Sequence, residues 1–314
     1  MRARERSGEA ATPSDYPPLP EALVVPVYDN HTHLEIEDGV EPVPWREQLD
    51  RASSVGVRGV VQVGTDLETS RWSADLAALD PRVLAAVAIH PDHAVELGYD
   101  ALNEQLTEID ALAQRPRVRA VGETGLDFAH ATDDEARAVQ RHSFEAHIEI
   151  AKNRDLALQI HDRDAHREVL DVLRRVGAPE RTVFHCFSGD AEFAQLVAEE
   201  GWYLSFSGTV TFKNAGGLRE ALEAVPRARL LVETDAPYLT PHPFRGRPNS
   251  SYLIPHTVRA MAAHLGTDAS MLAAQISSNT EEVYGHWDDE PLTPPPGPFD
   301  PPTGAIELPP PHAG

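Results

Sequence analysis

Between about residues 23 and 287 the chain alternates short apolar runs with longer stretches in which apolar residues recur every three or four positions. The runs read as strands at Val24–Asp29, Gly59–Gly64, Val83–Ile89, Val118–Gly122, Ala157–His161, Thr182–Cys186, Trp202–Ser205 and Leu230–Glu233. The stretches between them, such as DEARAVQRHSFEAHIEIAKN and RDAHREVLDVLRRVG, have helical periodicity. Eight apolar strands alternating with helices over about 265 residues predict an α/β fold, a (β/α)8 TIM barrel.

The pattern stops at both flanks. Residues 1–22 are polar and proline-bearing, and residues 288–314 are proline-rich and contain no lysine or arginine. Neither flank has a helical or strand period, so both are expected to be disordered or extended tails around a barrel at 23–287.

Composition narrows the class. Of 314 residues, 41% are hydrophobic and 25% charged, as in a soluble globular chain. No apolar run reaches membrane-spanning length, and the arginines of MRARER precede no hydrophobic segment of a secretory signal. The one cysteine, Cys186, rules out an internal disulfide framework and fits a reducing cytoplasm, the expected location. A net charge of −23 argues against a broad electrostatic surface for nucleic acid. It leaves open a nucleic-acid substrate held locally by metal ions and a few arginines.

Chemistry gathers where the strands end. In VVPVYDNHTHLE an apolar run breaks into Asp29, His31 and His33. Alternate residues of an extended chain share a face, so the two imidazoles are expected to project together with Asp29 behind them. Glu123 closes VRAVGE, His161 closes LALQIH, His185 lies in TVFHCF and Asp235 follows LLVET. The intervals from His33 are 90, 38, 24 and 50 residues. With a barrel repeat of roughly 30 residues, these polar residues fall at the carboxyl ends of strands 1, 4, 5, 6 and 8. That rim is where barrel active sites lie. Four imidazoles and two carboxylates suit divalent ions such as Mg, Mn or Zn. The expected division gives His31, His33, Glu123 and Asp235 to one ion and Glu123, His161 and His185 to a second, with Glu123 bridging.

These residues carry a resemblance. The stretches DNHTHLE, AIHPDHA, AVGETGLDF, QIHDRDAH, FHCFSGD, YLSFSGTVTFKNA, VETDAPYLTP and SSNTEEVYG, over about residues 28–285, resemble the TatD family of metal-dependent hydrolases, within the wider amidohydrolase-like barrel group. The resemblance implies a metal-dependent deoxyribonuclease, often a 3′-to-5′ exonuclease, on this same barrel. Modest departures are Glu35 where Asp is commoner, AIHPD in place of a glycine-led version, and Asp162 in place of serine. None removes an expected ligand. The proline-bearing flanks lie outside the family pattern.

Other polar residues have competing readings. Cys186 follows His185 on a strand and so faces the opposite way, which predicts core packing. His142 and His147 lie five apart on a helix and are expected to be solvated or peripheral. His90 faces the same rim, and capping, support of the ligands and substrate contact all remain open for it. For Asp127 and Arg163 a substrate role competes with a loop salt bridge. Arg245, Arg247 and Asn249 in PFRGRPN fit phosphate binding, because guanidinium forks match phosphate oxygens, and also fit a polar loop. Lys213 and Asn214 could extend that patch or cap the next helix.

Three functions follow for comparison. The first is phosphodiester hydrolysis of DNA, single-stranded or at strand ends, with Asp235 accepting the proton of the attacking water and Glu123 bridging. The second is amide or ester hydrolysis by the same metal chemistry. Glu123 stands where resemblance to many amidohydrolases would lead one to expect a lysine, which favours the first. The third is a non-catalytic metal-holding scaffold recruiting partners through its proline-rich tail. A monomer without a membrane partner is expected.

Overall fold

The computed structural model describes residues 2–3, 14–296 and 299; the expectations for the rest of both flanks lie outside the described residues. Eight parallel strands follow one another round a barrel: β1 (Val27–Thr32), β2 (Val57–Val63), β3 (Val83–Val87), β4 (Val118–Asp127), β5 (Ala157–Arg163), β6 (Thr182–Phe184), β7 (Tyr203–Phe206) and β8 (Leu230–Val232). Each pairs with its sequence neighbour, the pattern that right-handed strand–helix–strand crossovers generate. Between the last strand and the first, Asp235 N–H donates to His31 O at 2.9 Å and His33 N–H donates to Ala236 O at 2.8 Å. The metal-type residues of strands 1 and 8 therefore sit on the seam that nearly closes the barrel. Helices α1 (Trp45–Ser54), α2 (Leu67–Leu79), α3 (Pro91–Leu112), α4 (Asp134–Arg154), α5 (His166–Val176), α6 (Ala191–Glu199) and α7 (Gly216–Ala224) fill the crossovers, and α8 (Ile254–His264) and α9 (Ala269–Tyr284) follow β8.

Strand alternation sorts the core into two layers. Val60, Leu158 and Ile160 pack outward against the helices, whereas Val61, Val63 and Ala157 face the barrel interior. At the amino ends of the strands this interior is plugged from outside the sheet. Val283 and Tyr284, from the end of α9, and Trp287 just beyond it join Tyr28, Tyr203 and Leu231 there. Trp287 stacks on Tyr28 at 4.1 Å between centroids and donates its indole N–H to Arg82 O. Gly59 makes room for it, since a Cβ there would lie 2.5 Å from the indole nitrogen. Below the plug Arg117 is 1% exposed and donates to five carbonyls, those of Ala77, Pro81, Val83, Trp287 and Glu290.

Several boundaries differ from the sequence expectation. Strand 1 begins at Val27, because Val24 is 89% exposed and makes no sheet pair. β4 runs on to Asp127 and β5 to Arg163: after a register shift, Thr124–Asp127 pair with Ile160–Arg163. Strands 3, 6 and 8 are shorter than expected and strand 7 starts one residue later. Residues 14–22 have no helix or strand, yet they lie against the barrel. Tyr252 donates to Pro17 O, Arg259 to Glu21 O and Leu23 N–H to Val55 O. Beyond the barrel, Thr293 N–H donates to Ala78 O, and the Phe299 ring stacks on Trp72 at 5.6 Å.

Candidate metal centre

At the carboxyl ends the apolar interior gives way to ionisable side chains. His31, His33, Glu123 and His185 are all buried, and Asp235 and His161 are partly open, at 15% and 16% side-chain exposure. His31 Nδ1 donates to Gln159 Oε1 at 3.1 Å and His33 Nδ1 to Val63 O at 3.1 Å. Both Nε2 atoms thus face inward, 3.2 Å apart; burial by itself would lower the His33 pKa, but the bonds to Asp235 and Glu35 push it up to about 10, so a proton stands there where a cation would. From His31 Nε2 it is 3.5 Å to Glu123 Oε2 and 3.8 Å to Asp235 Oδ1; from His33 Nε2 the same oxygens lie at 3.9 and 3.5 Å. Donors about 2.0–2.1 Å from a tetrahedral ion lie about 3.4 Å from one another. His31, His33 and Asp235 therefore offer atoms that fit round one divalent cation, with Glu123 Oε2 beside both imidazoles.

Glu123 turns its other oxygen the opposite way. Oε1 lies 2.7 Å from His161 Nδ1, 2.9 Å from His185 Nε2 and 3.6 Å from His90 Nε2. Asp127 Oδ2 at 3.2 Å orients the far nitrogen of His161, and Glu233 Oε1 at 3.4 Å faces the far nitrogen of His185. Each histidine of this second set is thus backed by a carboxylate, the usual partner of a metal-ligating imidazole. Burial by itself would lower the His161 pKa, but the bonds to Asp127 and Glu123 push it up to about 9. His185 is likewise held well above the usual range against burial, by Glu123 and then Glu233. Protons supply here the positive charge that the carboxylates call for, and a cation would replace them.

The local chain is built to bring Glu123 inward. It follows Gly122 across a cis peptide, and a Cβ on Gly122 would lie 2.5 Å from the Gln159 Cβ. Gly125, at φ +144°, lets β4 run against the His161 carbonyl, which a Cβ would meet at 2.0 Å. Asp235 has a left-handed backbone, φ +53°, a conformation that Asp tolerates better than most residues. Asp29 anchors this turn: its Oδ1 accepts Thr234 N–H at 2.9 Å and its Oδ2 the Thr234 hydroxyl at 2.5 Å. Burial raises the Asp29 pKa to about 7. Asp29 therefore does not line up behind the two histidines as strand alternation predicts; the register of β1 shifts between Asp29 and Thr32 and turns it to strand 8.

The structure brings all six expected ligand residues together, places His90 in a further group with Glu123 and His161 that could hold an ion, and sets the other candidates apart. His90 caps α3, its Nδ1 accepting Asp92 N–H, so in the neutral ring its proton is on Nε2, towards Glu123. Burial pushes its pKa down to about 3, which keeps the ring neutral. Asp127 is buried, bonded to His161 and 2.9 Å from His130 Nδ1, and those two rings hold its carboxyl well below the usual range against burial. Arg163 lines the cleft above the centre, with Nη1 4.0 Å from Asp127 Oδ2. Arg245 is exposed and lies over the Phe212 ring at 4.2 Å. Arg247 departs from the phosphate expectation: Nε donates to Asp15 O and Nη2 to Tyr16 O, which ties down the N-terminal segment. Asn249 is buried and donates to Thr234 O and Tyr238 O within its own loop. Lys213 is exposed, whereas Asn214 lines the cleft.

Two further expectations are corrected. Cys186 packs on Tyr238 and Leu239 but also lines the cleft, because its φ of +41° breaks the strand alternation that would bury it opposite His185. Burial and the nearby acids raise its pKa well above the thiol range. His147 is fully buried rather than peripheral. Its Nε2 accepts Ile89 N–H at 3.1 Å and its Nδ1 meets Ser143 O at 2.8 Å. His142 is indeed on the surface, bonded to Asn103. The supporting residues Gln159 and Glu233 went unnoticed in the sequence, although a polar residue inside an apolar run, LALQIH and LLVETD, was the available signal.

The centre opens into a cleft of about 500 Å³ walled by the segments after β5, β6, β7 and β8. Among the described residues no helix is long and apolar enough to cross a membrane.

Residues 28–285 match the family model described as TatD related DNase. A Mycobacterium tuberculosis protein named uncharacterized metal-dependent hydrolase TatD is 46% identical over 261 residues, covering 82% of this chain and 97% of its own. The 3′-5′ ssDNA/RNA exonuclease TatD of Citrobacter rodentium is 34% identical, over 76% of this chain and 91% of its own. Among solved structures, the TatD homologue YjjV of Escherichia coli K12 superposes with a TM-score of 0.74 at 26% identity, covering 82% of this chain and 97% of that one.

Proposed function

Since the chain belongs to the TatD family of metal-dependent hydrolases, we propose that it hydrolyses phosphodiester bonds at the ends of single-stranded DNA, from 3′ to 5′, with two divalent ions. The observation that carries this reading is the division of Glu123: Oε2 faces His31 and His33, which also face Asp235, while Oε1 faces His161 and His185. One carboxylate shared by two donor sets is the arrangement expected of a two-metal hydrolytic site. The name of the Citrobacter relative supports the substrate and the direction.

Ions held in these two sets would supply Lewis-acid activation of water and of the phosphoryl oxygen. The chain's own residues supply the rest. Gln159, Val63 and Asp127 fix three of the imidazoles and Glu233 faces the fourth. Asp235, partly exposed and lining the cleft, accepts the proton of the attacking water. The water oxygen bonds to phosphorus, the bond to the leaving oxygen breaks, and the proton passes to that oxygen. The neutral His90, with its Nε2–H towards Glu123, stays a hydrogen-bond donor throughout.

The test is incubation of metal-reconstituted protein with single-stranded DNA labelled at the 3′ or 5′ end, beside a panel of amides and esters. Metal-dependent shortening from the 3′ end is expected. Turnover of the amide or ester panel with DNA left intact would replace this reading.

A further inference from the structure

Helices α1 and α2 each carry a tryptophan on the outer layer of the barrel, and one ring from the C-terminal flank bridges the two. Trp45 opens α1 and Trp72 lies midway along α2; they are 6% and 4% exposed, and neither lines the cleft at the metal centre. The flank is rooted at the floor, where Arg117 takes the carbonyls of Trp287 and Glu290, and Thr293 N–H donates to Ala78 O near the end of α2. Further on, the Phe299 ring stacks on Trp72 with centroids 5.6 Å apart and 22° between planes, and stands edge-on to Trp45 at 5.9 Å and 90°. Pro294, Pro295 and Pro296 follow Thr293. Proline fixes φ near −65° and favours an extended chain whose carbonyls no helix or sheet engages. Among the described residues the buried Trp72 indole nitrogen has no hydrogen-bond partner. A buried indole N–H usually finds an acceptor, and a carbonyl of such a segment is one. Yet the segment is lightly held: of residues 291–296 only Pro295 is even partly buried.

We propose that Trp45 and Trp72 form a recognition site for an extended proline-rich segment bearing an aromatic residue, and that the chain's own C-terminal flank, anchored at Thr293 and Phe299, occupies it as a displaceable latch. Grooves lined by aromatic rings take such segments because the proline chain is extended before it binds and so loses little freedom on docking. Phe299 is the anchor, since its ring is the one that fills the space between the two indoles. It lies beyond the family match at 28–285, so the latch is a feature of this chain added to the common barrel. The tether from the Arg117 clasp at Glu290 is short, which gives the resident segment a high effective concentration at the site. The same segment offered from outside therefore competes at a disadvantage until the anchor is removed.

The experiment titrates a synthetic peptide with the sequence of residues 291–302, PLTPPPGPFDPP, into the full-length native protein and into full-length Phe299→Ala. Tryptophan fluorescence and the indole N–H resonances report the occupancy of the site. Phe299→Ala should shift the Trp45 and Trp72 signals, and the peptide should return them towards their native positions. The peptide should bind the variant on the order of tenfold or more tighter than the native protein, whose site is already filled. A peptide carrying the same Phe299→Ala change should bind neither protein. Phe299 is only partly buried and outside the barrel, so its loss leaves the fold in place and the comparison readable. Indole signals indifferent to Phe299→Ala, equal peptide affinity for the two proteins, or binding that ignores the peptide's phenylalanine would each overturn the proposal. None of these outcomes bears on the phosphodiesterase reading, which rests on the opposite side of the sheet.

Discussion

The barrel holds buried charge at both mouths, and the two mouths treat it in opposite ways. At the amino-end floor the Arg117 guanidinium is enclosed and donates to five carbonyls of its own chain. At the carboxyl-end rim Glu123 and the histidines crowd round points where nitrogen lone pairs and carboxylate oxygens meet. The Glu233 Oε2, the Asp162 Oδ1 and the Arg163 Nε near them have no hydrogen-bond partner among the described residues. A buried polar group left unpaired is costly. The floor is complete as a piece of protein, whereas the rim has been built around something the chain does not contain. Changes at the floor should therefore cost stability and leave turnover per folded molecule alone, and changes at the rim should do the reverse.

The largest expected effect breaks the rim alone. Chelation should abolish hydrolysis, and Asp235→Asn should lower turnover by about 10²–10⁴-fold, the range for loss of a general base. The variant should keep its thermal midpoint, and excess metal should not rescue it. His185→Ala should be partly rescued by excess metal, because it loses a donor rather than the base. Near-normal turnover in Asp235→Asn with full metal content would move the base elsewhere, with Asp127 the next candidate.

The floor should answer with stability. Arg117→Met leaves five carbonyls without their donor, and unfolding should become easier by about 3 kcal/mol or more. Chemical denaturation measures that loss, and kcat per folded molecule should be native. A fall in kcat larger than the loss of folded protein would show that the two mouths are coupled.

Acid should reveal a third kind of site, His147, which supports the rim from behind. Burial lowers its pKa to about 4, below the unfolded value of about 6.5. The unfolded chain therefore binds a proton that the native chain refuses, and stability is lost as pH falls from about 6.5 through 4. The full penalty is roughly 3 kcal/mol. Urea midpoints at pH 7 and pH 5 should diverge more for the native protein than for His147→Asn, and equal divergence would place the acid sensitivity in other groups. The smallest effect belongs to Arg247→Ala, which should cost about 1 kcal/mol by releasing the Asp15 and Tyr16 carbonyls. The salt dependence of DNA binding should stay as in the native protein, and a flatter slope would restore the phosphate role.

The comparison also explains what could be read in advance. The rim was legible because a barrel repeats: His33, Glu123, His161, His185 and Asp235 keep the phase of the strand ends, and packing alone has no reason to hold polar residues to that phase. The supporting shell was not legible, since Gln159, Glu233 and Asp29 act across strands far apart in sequence. Local backbone departures hid more. A register shift in β1 turned Asp29 away, and a positive φ turned Cys186 into the cleft. The burial of His147 depends on α4 packing over the β3 end, which helical spacing does not specify. Residues 15 and 16 lie against the barrel because Arg247, over 230 positions later, reaches their carbonyls.

The plug at the floor has a consequence for synthesis. Tyr28 is among the first barrel residues to leave the ribosome, and its stacking partner Trp287 is among the last. The Arg117 clasp likewise waits for the carbonyls of residues 287 and 290. A nascent chain can pair its strands in order, but its barrel stays open at one end until residues 287–290 have been made. Apolar strand ends are exposed for that interval, the condition in which incomplete chains are prone to aggregate.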